Sequence, residues 1–398
     1  MILSKKTFGR ISSFPAVLAV AALSAGAFSA NAQTADTDAA ESGTDAENVT
    51  TFVLPDSGPF SPETIEIKNA VAIGNWARSG HSDRASESFS HWDEDGEVPA
   101  VCATCHAGAG FRSFHGLDGS EPGVREEPFP IGGVVDCETC HHPGLSQVAE
   151  ITLPSGVEHP VQGGEAACFT CHQGRAAGAT VSEAVGDMPE DEPNPEFRFV
   201  NPHYNQAAAT WLGGYGESGY HYPGKSYSGR FLHAQPVASC ASCHEPHSLE
   251  VAEEACEVCH FDAAPKDIRI SRVSYDGSGD TTKGIRADID ANAAKLLDEI
   301  ETYAAEVAGT PILYEAHYPY FFADANGDGV ADEADGRSVS YNAWTPRLLK
   351  AAFNWKFVTA DPGVHAHNPH YALELLYDSI EDLASTTGTD FEAMGLLR

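Results

Sequence analysis

All ten cysteines of the 398-residue chain fall in five copies of one pattern, C-x-x-C-H. The copies are Cys102-Ala-Thr-Cys105-His106, Cys137-Glu-Thr-Cys140-His141, Cys168-Phe-Thr-Cys171-His172, Cys240-Ala-Ser-Cys243-His244 and Cys256-Glu-Val-Cys259-His260. Histidine fills 18 of 398 positions, so five chance hits behind the second cysteine would arise about once in several million trials. C-x-x-C-H is the attachment pattern of c-type haem, in which two thiols add to the vinyl groups and the histidine becomes the proximal iron ligand. The spacing is chemical: two intervening residues match the separation of the vinyls, and the histidine must follow at once to lie beneath the iron. An exported chain with an even cysteine count could instead use disulfides, and zinc ribbons also use C-x-x-C pairs. Neither requires five trailing histidines. The expected cofactors are therefore five haem c groups, anchored by the ten cysteines and ligated by His106, His141, His172, His244 and His260.

A six-coordinate c-type haem takes methionine or a second histidine on its distal side. The chain has three methionines, of which Met1 leaves with a signal segment, so Met188 and Met394 cannot serve five irons. Histidines outside the motifs are plentiful, and bis-histidine ligation is the natural expectation. His81 and His91 lie ten residues apart in "SGHSDRASESFSHW", a separation that on a helix would aim them in different directions. Asn201-Pro202-His203-Tyr204 and Asn368-Pro369-His370-Tyr371 repeat four letters; in each, Asn could cap a helix and Pro occupy its first turn, holding a nearby histidine rigidly. His247 follows the fourth motif closely, His142 touches the second proximal histidine, and His233 shortly precedes the fourth motif. Isolated histidines such as His159 and His317 are better read as surface or core residues.

Something must hold these groups in place. The chain opens with Lys5, Lys6 and Arg10, an apolar stretch and Ala30-Asn31-Ala32, the pattern of a secretory signal peptide over residues 1–32. Residues 33–60 begin as a polar acidic run and are expected to be a disordered linker. A pentahaem cytochrome c region is expected over 61–265, with so little polypeptide per motif that porphyrin must supply much of the apolar interior. The acidic, Pro-rich residues 183–197 should form an exposed loop. Residues 266–398 should be helical. Ile285, Ile289, Leu296, Leu297, Ile300, Tyr303, Ala304 and Val307 mark one face of a long helix ended by Gly309 and Pro311. Thr345-Pro346 begins a second helix, with Leu348, Leu349, Ala352 and Phe353 on one side, and Asn368-Pro369 a third. The expected fold is mainly α with long loops, a haem-packed core and a helical C-terminal part. If "PHSLEVAEEACE" were helical, the fourth and fifth anchors would stand roughly 20 Å apart.

The formal charge of −35 excludes nucleic acid and anionic membrane surfaces as natural partners. After signal cleavage no membrane span is expected. Residues 324–335, "DANGDGVADEAD", match a twelve-residue calcium loop through Asp324, Asn326, Asp328, the Val330 carbonyl, Asp332 and Asp335, so a structural Ca2+ is expected. The preceding "HYPYFF" is a poor helix, which argues against a full EF-hand.

The five motifs, with "SGHSDRASESFSHW", "CFTCHQGR", "NPHYNQAAATWLGG", "CHEPHSLEV" and "AHNPHYALELLYDSIEDL", make the chain similar to exported bacterial multihaem c-type cytochromes with paired C-x-x-C-H motifs. The resemblance spans about residues 75 to 385. It implies distal ligation by His81, His91, His203, His247 and His367. The chain departs from the pentahaem nitrite reductases, which resemblance would lead one to expect with a C-x-x-C-K haem: here every motif ends in histidine. The expected function is electron relay outside the cytoplasm, in the periplasm or at the cell surface. Low-potential bis-histidine haems would there serve anaerobic respiration between redox protein partners. The alternatives are a reductase of a small nitrogen or sulfur oxyanion at one open haem, and a subunit of an extracellular haem wire or other oligomer.

Overall fold

The computed structural model describes residues 51–52, 67–261 and 263–398. The expected signal segment and nearly all of the expected acidic linker lie outside the described residues. Those described belong to one compact unit, Val49–Arg398. It is mainly helical, and its strands form five small antiparallel two-stranded sheets. No helix among the described residues is long and apolar enough to cross a membrane.

The helices that matter for the site are α1 (Ala100–His106), α2 (Cys137–His141), α3 (Glu165–His172) and α4 (Glu253–His260), followed by α5 (Ile285–Glu306), α6 (Pro346–Thr359), α7 (Val364–His367) and α8 (Pro369–Ala384). Four of the five C-x-x-C-H motifs thus close a short helix, and the fourth sits on a 3-10 turn, Cys240–Ser242.

The C-terminal helices carry the main core. Ile285, Ile289, Leu296, Ile300, Tyr303 and Ala304 bury one face of α5, which packs against α6 and α8. The ends are fixed as the sequence suggests: Thr345 Oγ1 accepts from Leu348 N at 3.1 Å at the start of α6. At the start of α8, Asn368 Oδ1 accepts from Tyr371 N at 3.3 Å. The one-sided reading of α6 needs correction, because it is buried nearly all round, Lys350 and Lys356 included. Each of these lysines has a partner: Lys350 Nζ donates to Glu190 at 2.6 and 2.8 Å, and Lys356 Nζ lies 4.7 Å from the ring centre of Tyr320. Glu190 lies in the acidic 183–197 segment, so that loop is tied down over the helix rather than left free.

The motif region is held by two smaller apolar clusters. One is built on Phe111, Leu145, Ile151, Phe169 and Leu212, the other on Val98, Ala103 and Ala107. The two Asn-Pro-His-Tyr segments differ. Asn368 caps a helix, but Asn201 Oδ1 accepts from His203 N at 3.0 Å in a local turn, His203 has φ 93°, and the next helix begins only at Ala207. The expected helix start there is replaced by a loop. Between His81 and His91 the chain is helical for one turn only, Glu87–Ser90.

Candidate functional site

The five motif histidines come from five separate segments, yet each faces another imidazole. Ring centres are 5.9 Å apart for His106 and His203, 5.9 Å for His141 and His247, and 6.4 Å for His172 and His81. For His244 and His367 the separation is 6.3 Å, and for His260 and His233 it is 6.2 Å. An imidazole nitrogen binds a metal at about 2 Å and its ring centre lies about 1 Å behind. Two imidazoles on opposite sides of one metal ion should therefore stand about 6 Å apart. All five pairs fall at that distance.

The partners come from distant parts of the chain. His81 lies in turns ahead of α1, His203 in the loop before Ala207 and His233 just ahead of the fourth motif. His247 sits in a tight loop behind that motif, closed by Leu249 N donating to Glu245 O at 2.8 Å and Ala252 N to Cys243 O at 3.1 Å. That loop takes up the first part of "PHSLEVAEEACE", and only from Glu253 is the segment helical. His367 ends α7.

Several rings are oriented from behind. His106 Nδ1 donates to Ser88 O and His172 Nδ1 to Asn205 O, each at 2.7 Å, and His233 Nδ1 donates to Ala234 O at 3.2 Å. A carbonyl can only accept, so Nδ1 carries the proton in these rings and Nε2 keeps its lone pair for a metal. His247 Nδ1 lies 2.9 Å from Glu245 Oε1, and His367 Nδ1 lies 2.8 Å from Asp361 Oδ2. Burial, with the neighbouring His172, pushes His81 down to about 4. Burial, then His106 and Arg175, does the same to His203. Both rings are neutral at pH 7, the state in which imidazole binds metal. Burial alone would lower His367, but Asp361 outweighs it and holds the ring above its ordinary value.

His91 stands apart. Its ring packs edge-on against Trp92 at 4.8 Å, and Nδ1 meets the exposed Glu87 at 2.8 Å; it forms none of the five pairs. His142 Nδ1 accepts from Gly144 N at 3.1 Å, capping a 3-10 turn. His159 is buried against Phe169 and Tyr215, and His317 faces Glu315.

None of the ten cysteines forms a disulfide and none is buried, unusual for a residue type that is among the most buried in proteins. They also meet across motifs. Cys105 lies beside Cys171, and Cys168 beside Cys240. Cys105 Sγ also reaches Thr170 O at 3.5 Å. Cys140 lies within electrostatic reach of Cys168 and Cys171, and Cys256 within that of Cys243. Motif three is thus flanked by motifs one, two and four, and motif five adjoins motif four. Arg112 Nη1 bonds Asp136 Oδ1 at 2.6 Å, and Asp136 caps α2 through Thr139 N, tying motif two to the helix that follows motif one.

Whole-chain comparison points the same way. The chain is similar to polyhaem c-type cytochromes. It is 25% identical over 373 residues to a C-type polyheme cytochrome, OmcB, of Geobacter sulfurreducens, covering 79% of this chain and 48% of the relative. It is equally similar, 25% over 377 residues, to the C-type polyheme cytochrome OmcC of the same organism, covering 78% of this chain and 46% of the relative. The chain therefore spans about half the length of these curated relatives. No family model matches, and no solved structure matches.

The 324–335 segment follows the strand Phe321–Ala323 and itself ends in a short strand, Glu333–Ala334, rather than lying between two helices. Asp324 is buried, and its carboxylate accepts from Asp328 N at 3.1 Å and Gly329 N at 3.0 Å. Asn326 Oδ1 accepts from Asp328 N and Asp332 Oδ2 from Ala325 N, each at 2.9 Å. Among the described residues no three His, Cys, Asp or Glu side chains form a metal-holding cluster.

What the sequence alone missed is the support behind the rings: Asp361 and the carbonyls of Ser88 and Asn205. Glu245, two residues ahead of His247, was the one such group with a local signal.

Proposed function

We propose that the chain is an extracytoplasmic electron-transfer protein holding five haem c groups, all bis-histidine ligated. The single observation that carries this reading is that each of the five motif histidines faces a second imidazole at 5.9 to 6.4 Å. The distal set in this reading is His203, His247, His81, His367 and His233, in the order of the motifs they face. It keeps four of the histidines implied by resemblance and takes His233 in place of His91.

Bound there, haem c supplies one-electron iron chemistry. The chain's residues do the rest. The thiols would anchor it, each pair of imidazoles would supply two nitrogen ligands, and the Nδ1 acceptors fix which nitrogen is left free to bind. A haem held by two imidazoles would have no open ligand site for a substrate, which favours relay over catalysis. The cross-motif thiol contacts support short steps along motifs one, three, four and five. Around motif five, Leu232, Val258 and Phe261 are exposed by 76%, 81% and 89%, which favours that end as the place where a redox protein partner takes or gives electrons. The first test is intact mass with low-temperature EPR. We expect five haem additions on ten cysteines and only low-spin ferric signals. A high-spin component that shifts with nitrite or hydroxylamine would replace relay by reduction of a small oxyanion.

A separate, smaller proposal is a structural Ca2+ in the 324–335 loop, supported by the ligand-type residues at Asp324, Asn326, Asp328, Val330, Asp332 and Asp335. Metal analysis should find one equivalent of calcium, and chelation should lower thermal stability without changing the haem spectrum. Absence of calcium after dialysis against a calcium buffer would refute it.

A further inference from the structure

The five ring pairs differ in what stands behind them. Asp361 is 1% exposed, and its two oxygens lie 3.0 and 2.8 Å from His367 Nδ1. The same carboxylate accepts from Gly363 N at 2.9 Å. Gly363 is required here by close approach: a Cβ on it would stand 2.5 Å from His367 Cε1, so the imidazole lies against the backbone and is held facing Asp361. Behind His106, His172 and His233 there are only neutral carbonyls. Glu245, behind His247, is charged, but its side chain is 42% exposed against 1% for that of Asp361, so water screens it.

We infer that Asp361 is a positioning residue that makes His367 the strongest donor among the distal imidazoles and so gives the haem held by His244 and His367 the lowest reduction potential of the five. This rests on the bis-histidine reading. A buried carboxylate that accepts the Nδ1 proton increases the basicity of Nε2, and a more basic ligand favours ferric over ferrous iron. The fixed negative charge acts in the same direction, and burial leaves it less screened than a surface charge.

The test is a redox titration of the full, haem-loaded protein, followed by EPR so that components resolve. Asp361→Asn keeps the shape and an acceptor but removes the charge. The lowest-potential component should rise so that, at its original midpoint, the ratio of reduced to oxidised haem increases about tenfold, equivalent to about 59 mV for one electron. The other four should stay in place, and Asp361→Glu should recover part of the shift. A merely structural Asp361 would give the same midpoint in Asp361→Asn, and that result, or a uniform shift of all five, overturns the inference. Should Asp361→Asn fail to mature, Asp361→Ser, which also removes the charge, should raise the same component. No change there, or a fall, overturns the inference equally. Failure of the underlying reading is distinguishable: His367→Ala would then leave all five haems low-spin.

Discussion

Replacing His367 with alanine should turn one haem in five high-spin while all five remain covalently attached. The ring of His367 is the only one paired with His244, and it sits on a single helical turn, α7, between two fixed points. Ahead of it Asp361 accepts its Nδ1 proton. Behind it Asn368 caps α8 and donates to Gly229 O at 2.9 Å. Alanine removes the ligand but leaves both points in place. The buried Asp361 carboxylate loses one partner, at a stability cost of about 1–3 kcal/mol. EPR of the oxidised protein measures the spin change, and a pyridine extract counts the haems. The matching control is His91→Ala, which should leave the spectrum untouched because that ring faces Trp92 and Glu87 instead. A spin change in the control, or none at His367, would dismantle the proposed ligand set.

The second large effect concerns stability. Asp288→Ala should cost about 3–5 kcal/mol, the range for breaking a buried ion pair by removing one member. Asp288 is fully buried in the first turn of α5 and stands 2.6 Å from Arg269 Nη2, whose side chain is 5% exposed. The two meet off the hydrogen-bond line, since neither atom counts as hydrogen-bonded, so their attraction is chiefly charge on charge. The other oxygen of Asp288 accepts from Tyr275 N at 2.8 Å. Removing the carboxylate strands a guanidinium and an amide together and takes a negative charge from a helix start, where it is favourable. The guanidinium chloride midpoint should fall accordingly. Asp290→Ala, two residues on, breaks only the exposed pair with Arg286 and should cost under about 1 kcal/mol. Equal losses in the two variants would show that burial is not what matters at Asp288.

Much of this was legible in the sequence, for physical reasons. The C-x-x-C-H copies are local, so their chemistry survives without a fold. The helices from Ile285, Pro346 and Pro369 were legible because their periodicity and caps, Thr345 and Asn368, are local too. The pairing of rings was not. His81 meets His172 and His233 meets His260 across long stretches of chain, and no spacing rule links them. Identical letters also misled: Asn-Pro-His-Tyr at 201 and at 368 differ in backbone because only the second is followed by an apolar helical face that packs on α5 and α6. Resemblance named His91 beside His81, but the short turn Glu87–Ser90 leaves His91 facing outward, with a side chain 59% exposed.

The contacts among thiols carry one more consequence. Numbered along the chain, the motifs read one to five; in the proposed relay, motif three would be the junction and motif two a spur beside the line one, three, four, five. In such a layout the sites are not equally dispensable. Deleting the spur would leave the through-route whole and remove only a place where charge waits, whereas deleting the junction would isolate motif one from motifs four and five. Mutational tolerance should therefore follow position in this network and not position in the chain.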